Sequence, residues 1–246
     1  MLRQAPSISV ILPNLNGAAY LSEAIASFLR QDYDRKELLI VDAASTDGSH
    51  DIIRAACAVE PSVRWVKSQD SGISDAFTRG YEVSTGELVG FLGADDLLMP
   101  GLFHRLSEIH QVIDSDGIYF DSYVWWEDER RCVLRKPLAP QFTRSSLLRH
   151  GTIVGWQNIY FTRGVYDRHQ PDPQLRAAMD FELYLRLSLE EPLLVYLEHV
   201  GTLNRYGVGN AGGANISRDL DGSQGRELRA IADHYADGVT VPFYAS

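Results

Sequence analysis

The chain has 246 residues, of which 45% are hydrophobic and 23% charged, and its formal net charge is −10 at pH 7. These fractions are typical of a folded globular protein and argue against intrinsic disorder. The acidic balance argues against a nucleic-acid surface, because such surfaces cluster Lys and Arg against phosphate groups.

The hydrophobic segments are short. No apolar run reaches the roughly 20 residues that cross a bilayer. The first one, residues 8–12, is far shorter than a signal-peptide core with its cleavage site, so we expect a cytoplasmic protein. Because no strongly basic amphipathic helix is visible, any contact with a membrane is expected to be peripheral. Cys57 and Cys132 lack neighbouring metal ligands and are predicted to be buried thiols.

Strand-like and helical patterns alternate along the first half of the chain. The predicted strands are residues 7–12, 38–41, 63–67 and 88–92. The predicted helices are residues 18–31, 49–58, 73–83 and 100–113. Such βα alternation implies right-handed crossovers and a mostly parallel sheet with helices on both faces.

The alternation of strands and helices becomes less regular after residue 113, which suggests a mixed or antiparallel extension of the sheet. Strand-like segments 117–124 and 133–136 flank an acidic turn. The later predictions are strands 157–161 and 193–198, helices 180–189 and 224–235, and a Gly- and Asn-rich loop or lid at 206–213. No linker or clean domain boundary is visible.

Two adjacent carboxylates, Asp95 and Asp96, follow the apolar run of the fourth predicted strand. Two like charges side by side are unfavourable unless water or a cation stabilises them. Ligands of open α/β sheets bind beyond the carboxyl ends of the strands. A divalent cation satisfies both observations, and the alternatives are a solvated loop or a helix N-cap before residues 97–100. An acidic protein that binds a diphosphate needs added positive charge, and shared Mg²⁺ or Mn²⁺ supplies it.

Other acidic residues follow the second and third predicted strands. Asp42 can accept a hydrogen bond from a base N–H or a ribose hydroxyl, whereas Asp47 and Ser49 fit the cap of the next helix better. Asp70 and Asp75 follow the third strand. Three acidic loop tips are therefore expected at one edge of the sheet, which solvation alone does not explain.

Four segments in order, spanning most of residues 7–189, resemble the family 2 glycosyltransferases of GT-A fold. They are ISVILPNLNG at 8–17, IVDAASTDGS at 40–49, DSGISDAFTRGYEVSTGELVGFLGADD at 70–96 and MDFELYLRL at 179–187. The resemblance implies a Rossmann-like α/β fold with a mixed C-terminal extension. It also implies one domain over 1–246, with a nucleotide-sugar-binding half (1–115) and an acceptor-binding half that ends in a helix (116–246).

The resemblance further implies inverting transfer of a sugar from a nucleotide-diphosphate donor, commonly UDP-linked, to an acceptor hydroxyl. The implied donor-binding residues are Pro13, Asn14, Asn16, Asp42, Asp70, Gly72, Asp75 and Asp95. Asp95 and Asp96 form the implied DXD-type element, with Asp96 as the direct ligand of Mg²⁺ or Mn²⁺. Arg205 joins the predicted donor site because its planar guanidinium suits phosphate oxygens. The chain departs from the family at Ala43 and Gly93, where further acids are frequent.

An inverting displacement needs a carboxylate within hydrogen-bond reach of the acceptor hydroxyl. The resemblance assigns this base to Asp180, for which a helix N-cap is the alternative. Glu182 lies about 200° further around the helix, so a structural role is expected. Trp156 and Gln157 lie where the family places acceptor-side residues. Adjacent strand residues face opposite sides, so of Trp125 and Trp126 one is expected in the core.

The favoured function is transfer to a lipid-linked saccharide in cell-surface polysaccharide synthesis, with the acceptor taken from family habit. A polyprenyl-phosphate glycosyltransferase and a catalytically inactive nucleotide-sugar-binding module are the alternatives. A dinucleotide oxidoreductase is disfavoured, because no G-x-G-x-x-G follows the first strand.

Overall fold

A computed structural model describes residues 3–42, 44–68, 72–137, 142–206 and 223–236. The strands are β1 (Ile8–Asn14), β2 (Lys36–Asp42), β3 (Val63–Lys67), β4 (Leu88–Phe91), β5 (Leu97–Leu98), β6 (Gly117–Trp126), β7 (Arg131–Arg135), β8 (Ile159–Thr162) and β9 (Leu194–Tyr206). The helices are α1 (Ala18–Leu29), α2 (Ser49–Val59), α3 (Ile73–Val83), α4 (Leu102–Val112), α5 (Arg144–His150), α6 (Arg163–Arg168), α7 (Met179–Ser188) and α8 (Ser223–Tyr235).

These strands form one sheet in the order β3-β2-β1-β4-β8-β6-β9-β5, and β7 pairs with β6. The first four strands in this order are parallel. β8 is antiparallel to both of its neighbours, β4 and β6, and β9 is parallel to β6. Strands β1, β2, β4, β6 and β9 therefore all point to the same edge of the sheet. The predicted α/β fold, parallel first and mixed later, is confirmed.

Apolar side chains cover both faces of the sheet. In β1, Ile8, Val10 and Leu12 join a cluster with residues of α1, α2 and α4. Ile11 points the other way, into a cluster with residues of α3, α5, α6, α7 and α8. This alternation is the period-2 pattern of a strand that is buried on both faces. The predicted helices on both faces are thus confirmed.

Four short elements were not predicted from the sequence: β5, α5, α6 and a 3₁₀ helix at Trp156–Asn158, which precedes β8. Leu97 and Leu98 fitted a helix start, but they form a strand that pairs with β9. Helix α4 begins only after Gly101, which has a left-handed φ of 82°. The prediction of a buried Cys132 is wrong, because every residue of β7 is exposed.

The 206–213 loop prediction, apart from Tyr206, falls outside the described residues. In the described ranges, every helix is too short or too polar to span a membrane.

Candidate active site

Polar residues collect where the parallel strands end. Asn14 and Asp42 are the last residues of β1 and β2, and they lie opposite each other in the register. Asp95 and Asp96 follow β4, and Arg205 is the penultimate residue of β9. Because all these strands run in one direction, the topology brings these predicted donor and metal residues to one edge of the sheet.

The carboxylate of Asp42 is buried, and its oxygens are held by protein donors. Oδ1 accepts from the Ser45 backbone N–H at 3.0 Å and contacts His50 Nε2 at 2.8 Å. Oδ2 accepts from Asn14 Nδ2 and Ser45 Oγ, both at 2.7 Å. Burial would raise the pKa of Asp42, but these hydrogen bonds hold it below its usual value. All four acceptor positions are in use, so direct contact with a base or ribose requires one bond to be exchanged.

The loop after β2 is fixed to the loop after β1. The Asn16 backbone N–H donates to Ser45 Oγ at 2.8 Å. Asp47 Oδ2 accepts from the Ala18 backbone N–H at 2.8 Å, and its Oδ1 accepts from the backbone N–H and hydroxyl of Ser49. Asp47 therefore caps the starts of both α1 and α2, which confirms its predicted capping role.

A pocket of ≈ 590 Å³ opens beyond the ends of β2 and β3. Its lining residues are Asp42, Ala44, His50, Arg54, Trp65, Lys67 and Ser68. The Trp65 ring lies 4.9 Å from the His50 ring between centroids, and Lys67 Nζ lies 4.6 Å from the Trp65 centroid. Three of the lining side chains are basic, which suits an anionic ligand. Sequence reasoning selected Asp42 here and missed His50 and Lys67, although Lys67 ends a parallel strand.

Asp95 and Asp96 converge above Gly93. A Cβ at Gly93 would lie 2.7 Å from Asp96 Oδ2 and 3.0 Å from Asp95 Oδ1, so glycine leaves this space to the carboxylates. Asp96 is buried, and its Oδ1 accepts from the Arg205 backbone N–H at 3.0 Å. Burial and the charge of Asp95 raise the pKa of Asp96, and burial raises the pKa of Asp95.

A buried polar network supports Asp96 from below. The Asn204 side chain hydrogen-bonds Asp96, and its Oδ1 accepts from Asn158 Nδ2 at 3.3 Å. Asn158 also donates to Ser122 Oγ at 3.2 Å and accepts from the Thr202 hydroxyl. All of these side chains are buried. Sequence reasoning missed this network, because the strand predicted at 193–198 ends before Thr202 and Asn204, whereas β9 continues through both.

Arg205 is anchored beside these carboxylates. Its guanidinium carbon lies 4.6 Å from the Tyr20 ring centroid, and one terminal nitrogen pairs with Glu23. The Arg205 charge acts to lower the pKa of both Asp95 and Asp96. Its Nε is buried and has no hydrogen-bond partner in the described part of the chain. Arg205 thus lies next to the predicted metal site, held by an existing ion pair.

Asp180 is the second residue of α7, and Ala178 is the N-cap. The N-cap alternative for Asp180 is therefore wrong. Its Oδ1 accepts from the Phe181 backbone N–H at 2.8 Å. Burial raises the pKa of Asp180 to about 6, with the charge of Arg135 acting in the opposite direction. A carboxylate with this pKa is a stronger base than an ordinary Asp and is still mostly ionised at pH 7.

The segment before α7 reaches the donor edge of the sheet. Ser74 Oγ, in the first turn of α3, donates to the Leu175 backbone oxygen at 3.2 Å. Because α3 begins beyond the end of β3, this bond links the segment before Asp180 with the predicted donor-binding edge of the sheet.

The remaining residues that the sequence singled out lie in ion pairs, at the start of α3 or within β1. Glu182 pairs with Arg186 at 2.7 Å, in agreement with its expected structural role. Asp75 pairs with Arg79 at 3.1 Å within α3. Gly72 has φ of 147° and precedes α3, Pro13 lies within β1, and Asp70 falls outside the described residues.

The tryptophans differ from expectation. Trp156 is buried and stacks on Phe91, with centroids 5.0 Å apart and planes 7° apart, so it belongs to the core. Trp125 and Trp126 are both partly exposed, so the expectation that one lies in the core is wrong. Trp126 is the last residue of β6, and the guanidinium carbon of Arg131 lies 4.2 Å from its ring centroid.

Comparison with known proteins decides the family. The model of the family described as "Glycosyl transferase family 2" matches residues 9–168. The chain belongs to this family. A PGL/p-HBAD biosynthesis glycosyltransferase of Mycobacterium bovis is 41% identical over 210 residues, which covers 82% of this chain and 78% of the relative. Three other curated relatives are longer, and the matched regions cover 35%, 63% and 50% of their lengths.

Two solved structures share the GT-A fold of this family 2 chain. S. aureus TarS 1-349 in complex with UDP-GlcNAc superposes with a TM-score of 0.69 at 16% identity, covering 86% of this chain and 61% of TarS. The mannosyltransferase PcManGT from Pyrobaculum calidifontis, in complex with GDP-Man and Mn²⁺, gives a TM-score of 0.62 at 19% identity, covering 82% and 56%. At such identities the likeness establishes the fold.

Proposed function

We propose that this family 2 protein is an inverting glycosyltransferase that moves a sugar from a nucleotide-diphosphate donor, a UDP-sugar, to an acceptor hydroxyl. The observation that carries the proposal is Asp180, a partly buried carboxylate in the first turn of α7 whose pKa is raised to about 6. The bound UDP-GlcNAc of TarS supports the donor class. In this proposal residues 1–115 bind the donor and residues 116–246 bind the acceptor.

The chemistry requires one base and one leaving group. The acceptor oxygen attacks the anomeric carbon from the face opposite the diphosphate, a new C–O bond forms, and the bond to the diphosphate oxygen breaks. Asp180 removes the hydroxyl proton, which ends on its carboxylate. At pH 7 roughly nine tenths of the Asp180 side chains are ionised and able to do this.

Asp95 and Asp96 fit a divalent cation, because one oxygen of each carboxylate lies close to the same point beside Gly93. In our proposal these two residues hold Mg²⁺ or Mn²⁺, and the cation neutralises charge that develops on the diphosphate. Among the described residues, no group of three or more His, Cys, Asp or Glu side chains is placed to hold a metal ion. Two carboxylates suit a cation that shares its remaining positions with phosphate oxygens and water. The Mn²⁺ in the PcManGT complex supports this choice.

We further propose a saccharide acceptor carried on a lipid, with the reaction on the cytoplasmic side of the membrane and a role in cell-surface polysaccharide synthesis. The mycobacterial relative is named a PGL/p-HBAD biosynthesis glycosyltransferase. That name supports a biosynthetic role for the sugar transfer proposed here. In this proposal the protein contacts the membrane only peripherally, at the place where the lipid-linked acceptor lies.

The test is the thermal stability of the purified protein with UDP, GDP or dTDP, each with Mn²⁺, Mg²⁺ or EDTA. A ligand at about 100 times its dissociation constant stabilises the native state by about 2.7 kcal/mol, which raises Tm by several degrees. We expect a metal-dependent rise with UDP. A sugar-transfer assay with UDP-sugars then follows, with Asp180→Asn as control. No rise with any nucleotide contradicts the proposal, and binding without transfer favours an inactive binding module.

A further inference from the structure

The N-cap residue of helix α7, which carries Asp180, makes no side-chain cap hydrogen bond. This N-cap residue is Ala178, and Ala177 precedes it. Neither side chain can accept a hydrogen bond from the first N–H groups of the helix, which normally need such a partner. Asp180 Oδ1 accepts from the Phe181 N–H within the first turn, but the N–H of Ala178 needs a partner from elsewhere in the molecule.

Glu227 of α8 supplies it. Its carboxylate accepts from three successive backbone N–H groups: Arg176 at 3.1 Å, Ala177 at 2.9 Å and Ala178 at 3.2 Å. A negative charge at the start of a helix is also favourable to the helix dipole. One side chain, distant in sequence, thus holds the backbone immediately before the first turn of α7.

The rest of α8 is docked so that Glu227 has a fixed position. Leu228, Ile231 and Ala232 are buried in the same apolar cluster as residues of α7. At the far end of α8, Tyr235 Oη donates to Glu182 Oε1 at 3.0 Å. The Tyr235 side chain also hydrogen-bonds Arg186 of α7. Among these contacts of α8 in the described residues, only those of Glu227 are made to the backbone before Asp180.

We propose that Glu227 is a positioning residue for Asp180. By fixing the backbone of residues 176–178, Glu227 sets the direction in which the first turn of α7 presents the Asp180 carboxylate to the acceptor hydroxyl. The inference rests on the proposed role of Asp180 as base. A displacement of about 1 Å at such a base can cost on the order of 100-fold in rate, so a distant cap can control turnover.

The test compares Glu227→Ala and Glu227→Gln in the full chain. The readouts are UDP release from UDP-N-acetylglucosamine with Mn²⁺, UDP affinity, and hydrogen exchange of the Ala177 and Ala178 amides. For Glu227→Ala we expect kcat to fall about 10-fold or more, KM for the donor to change less than about twofold, and both amides to exchange faster. Glu227→Gln keeps one acceptor oxygen and should retain most of kcat.

Tyr235→Phe is the matched control, since it removes the hydrogen bonds of Tyr235 to Glu182 and Arg186 of α7 and leaves the contacts of Glu227 intact. It should leave kcat and the exchange of both amides unchanged. An unchanged kcat in Glu227→Ala overturns the proposal, and so does an equal loss of kcat in Tyr235→Phe. If the wild-type protein releases no UDP from any UDP-sugar, the proposed function fails instead, while the amide exchange still reports whether Glu227 caps α7.

Discussion

The Nε2 atom of His50 lies 2.8 Å from Oδ1 of Asp42, at the wall of the pocket beyond β2 and β3. Asn14 and Ser45 occupy the other acceptor positions of Asp42, so this carboxylate orders the ends of β1 and β2. His50 is the more exposed partner, and it faces the pocket. The buried Asp42 carboxylate therefore supports a side chain that lines the pocket.

The variant His50→Ala should therefore weaken nucleotide binding. It removes a pocket wall and leaves Asp42 Oδ1 one donor short, and the loss of one hydrogen bond to a charged group costs about 1.5 kcal/mol or more. We expect UDP affinity to fall about 10-fold in calorimetric titration. His104→Ala is the control, because His104 is exposed on α4, away from the pocket, where it contacts Asp32 at 4.0 Å and the Tyr33 ring at 5.8 Å between centroids. Equal affinities in the two variants would contradict a ligand-facing role for His50.

The variant Gly93→Ala should impair the metal site. Its Cβ would lie 2.7 Å from Asp96 Oδ2, so the two carboxylates must move apart. We expect the Mn²⁺-dependent part of the thermal shift with UDP to be lost, while the metal-free protein still folds. Gly164→Ala is the control, because the nearest atom to its added Cβ is Arg168 Nη1 at 3.6 Å. A full metal-dependent shift in Gly93→Ala would remove the cation from this position.

The sequence predicted the parallel half of the sheet because its strands are long apolar runs with polar residues at their carboxyl ends. Asp42, Asp95 and Asp96 could be selected for that reason alone. Strand β5 could not be predicted, since two residues carry no periodicity and its partner, β9, comes far later in the chain. His50 and Glu227 were missed for a similar reason. Each acts through contacts across elements, and neither lies in a pattern that is readable along one strand or helix.

The variant Asn158→Ala tests the buried network under Asp96. Removing Asn158 leaves the Thr202 hydroxyl and the Asn204 amide oxygen without their partner in a buried place. The free energy of unfolding should fall by about 1–3 kcal/mol, which urea denaturation measures as a lower midpoint at constant slope. Because Asn204 also bonds Asp96, the same variant should weaken the Mn²⁺-dependent binding of UDP. An unchanged midpoint would mean that water replaces the lost amide.

The variant Asp180→Asn should lose most of its turnover while the protein still folds. Asn keeps an oxygen that can accept the Phe181 N–H, but it cannot take a proton, so kcat should fall by about 10²–10⁴-fold. In the wild-type protein, kcat should fall about tenfold per pH unit below pH 6, as Asp180 becomes protonated. If kcat fell to half its maximum near pH 4 instead of near pH 6, the raised pKa of Asp180 would be contradicted.

The same substitution should stabilise the protein at neutral pH. The pKa of Asp180 is about 6 in the folded state and 3.8 is its ordinary value, so the folded protein binds this proton more tightly than the unfolded chain. The ionised side chain therefore destabilises the fold above pH 6, by about 1–3 kcal/mol because it keeps some solvent contact. Asp180→Asn should recover this free energy at pH 7.5, and the gain should vanish below about pH 4, where wild-type Asp180 is neutral in both states. Denaturation of both proteins at pH 7.5 and below pH 4 measures this gain in the free energy of unfolding. An equal gain at the two pH values would show that burial of the Asp180 charge is not the cause of the stabilisation.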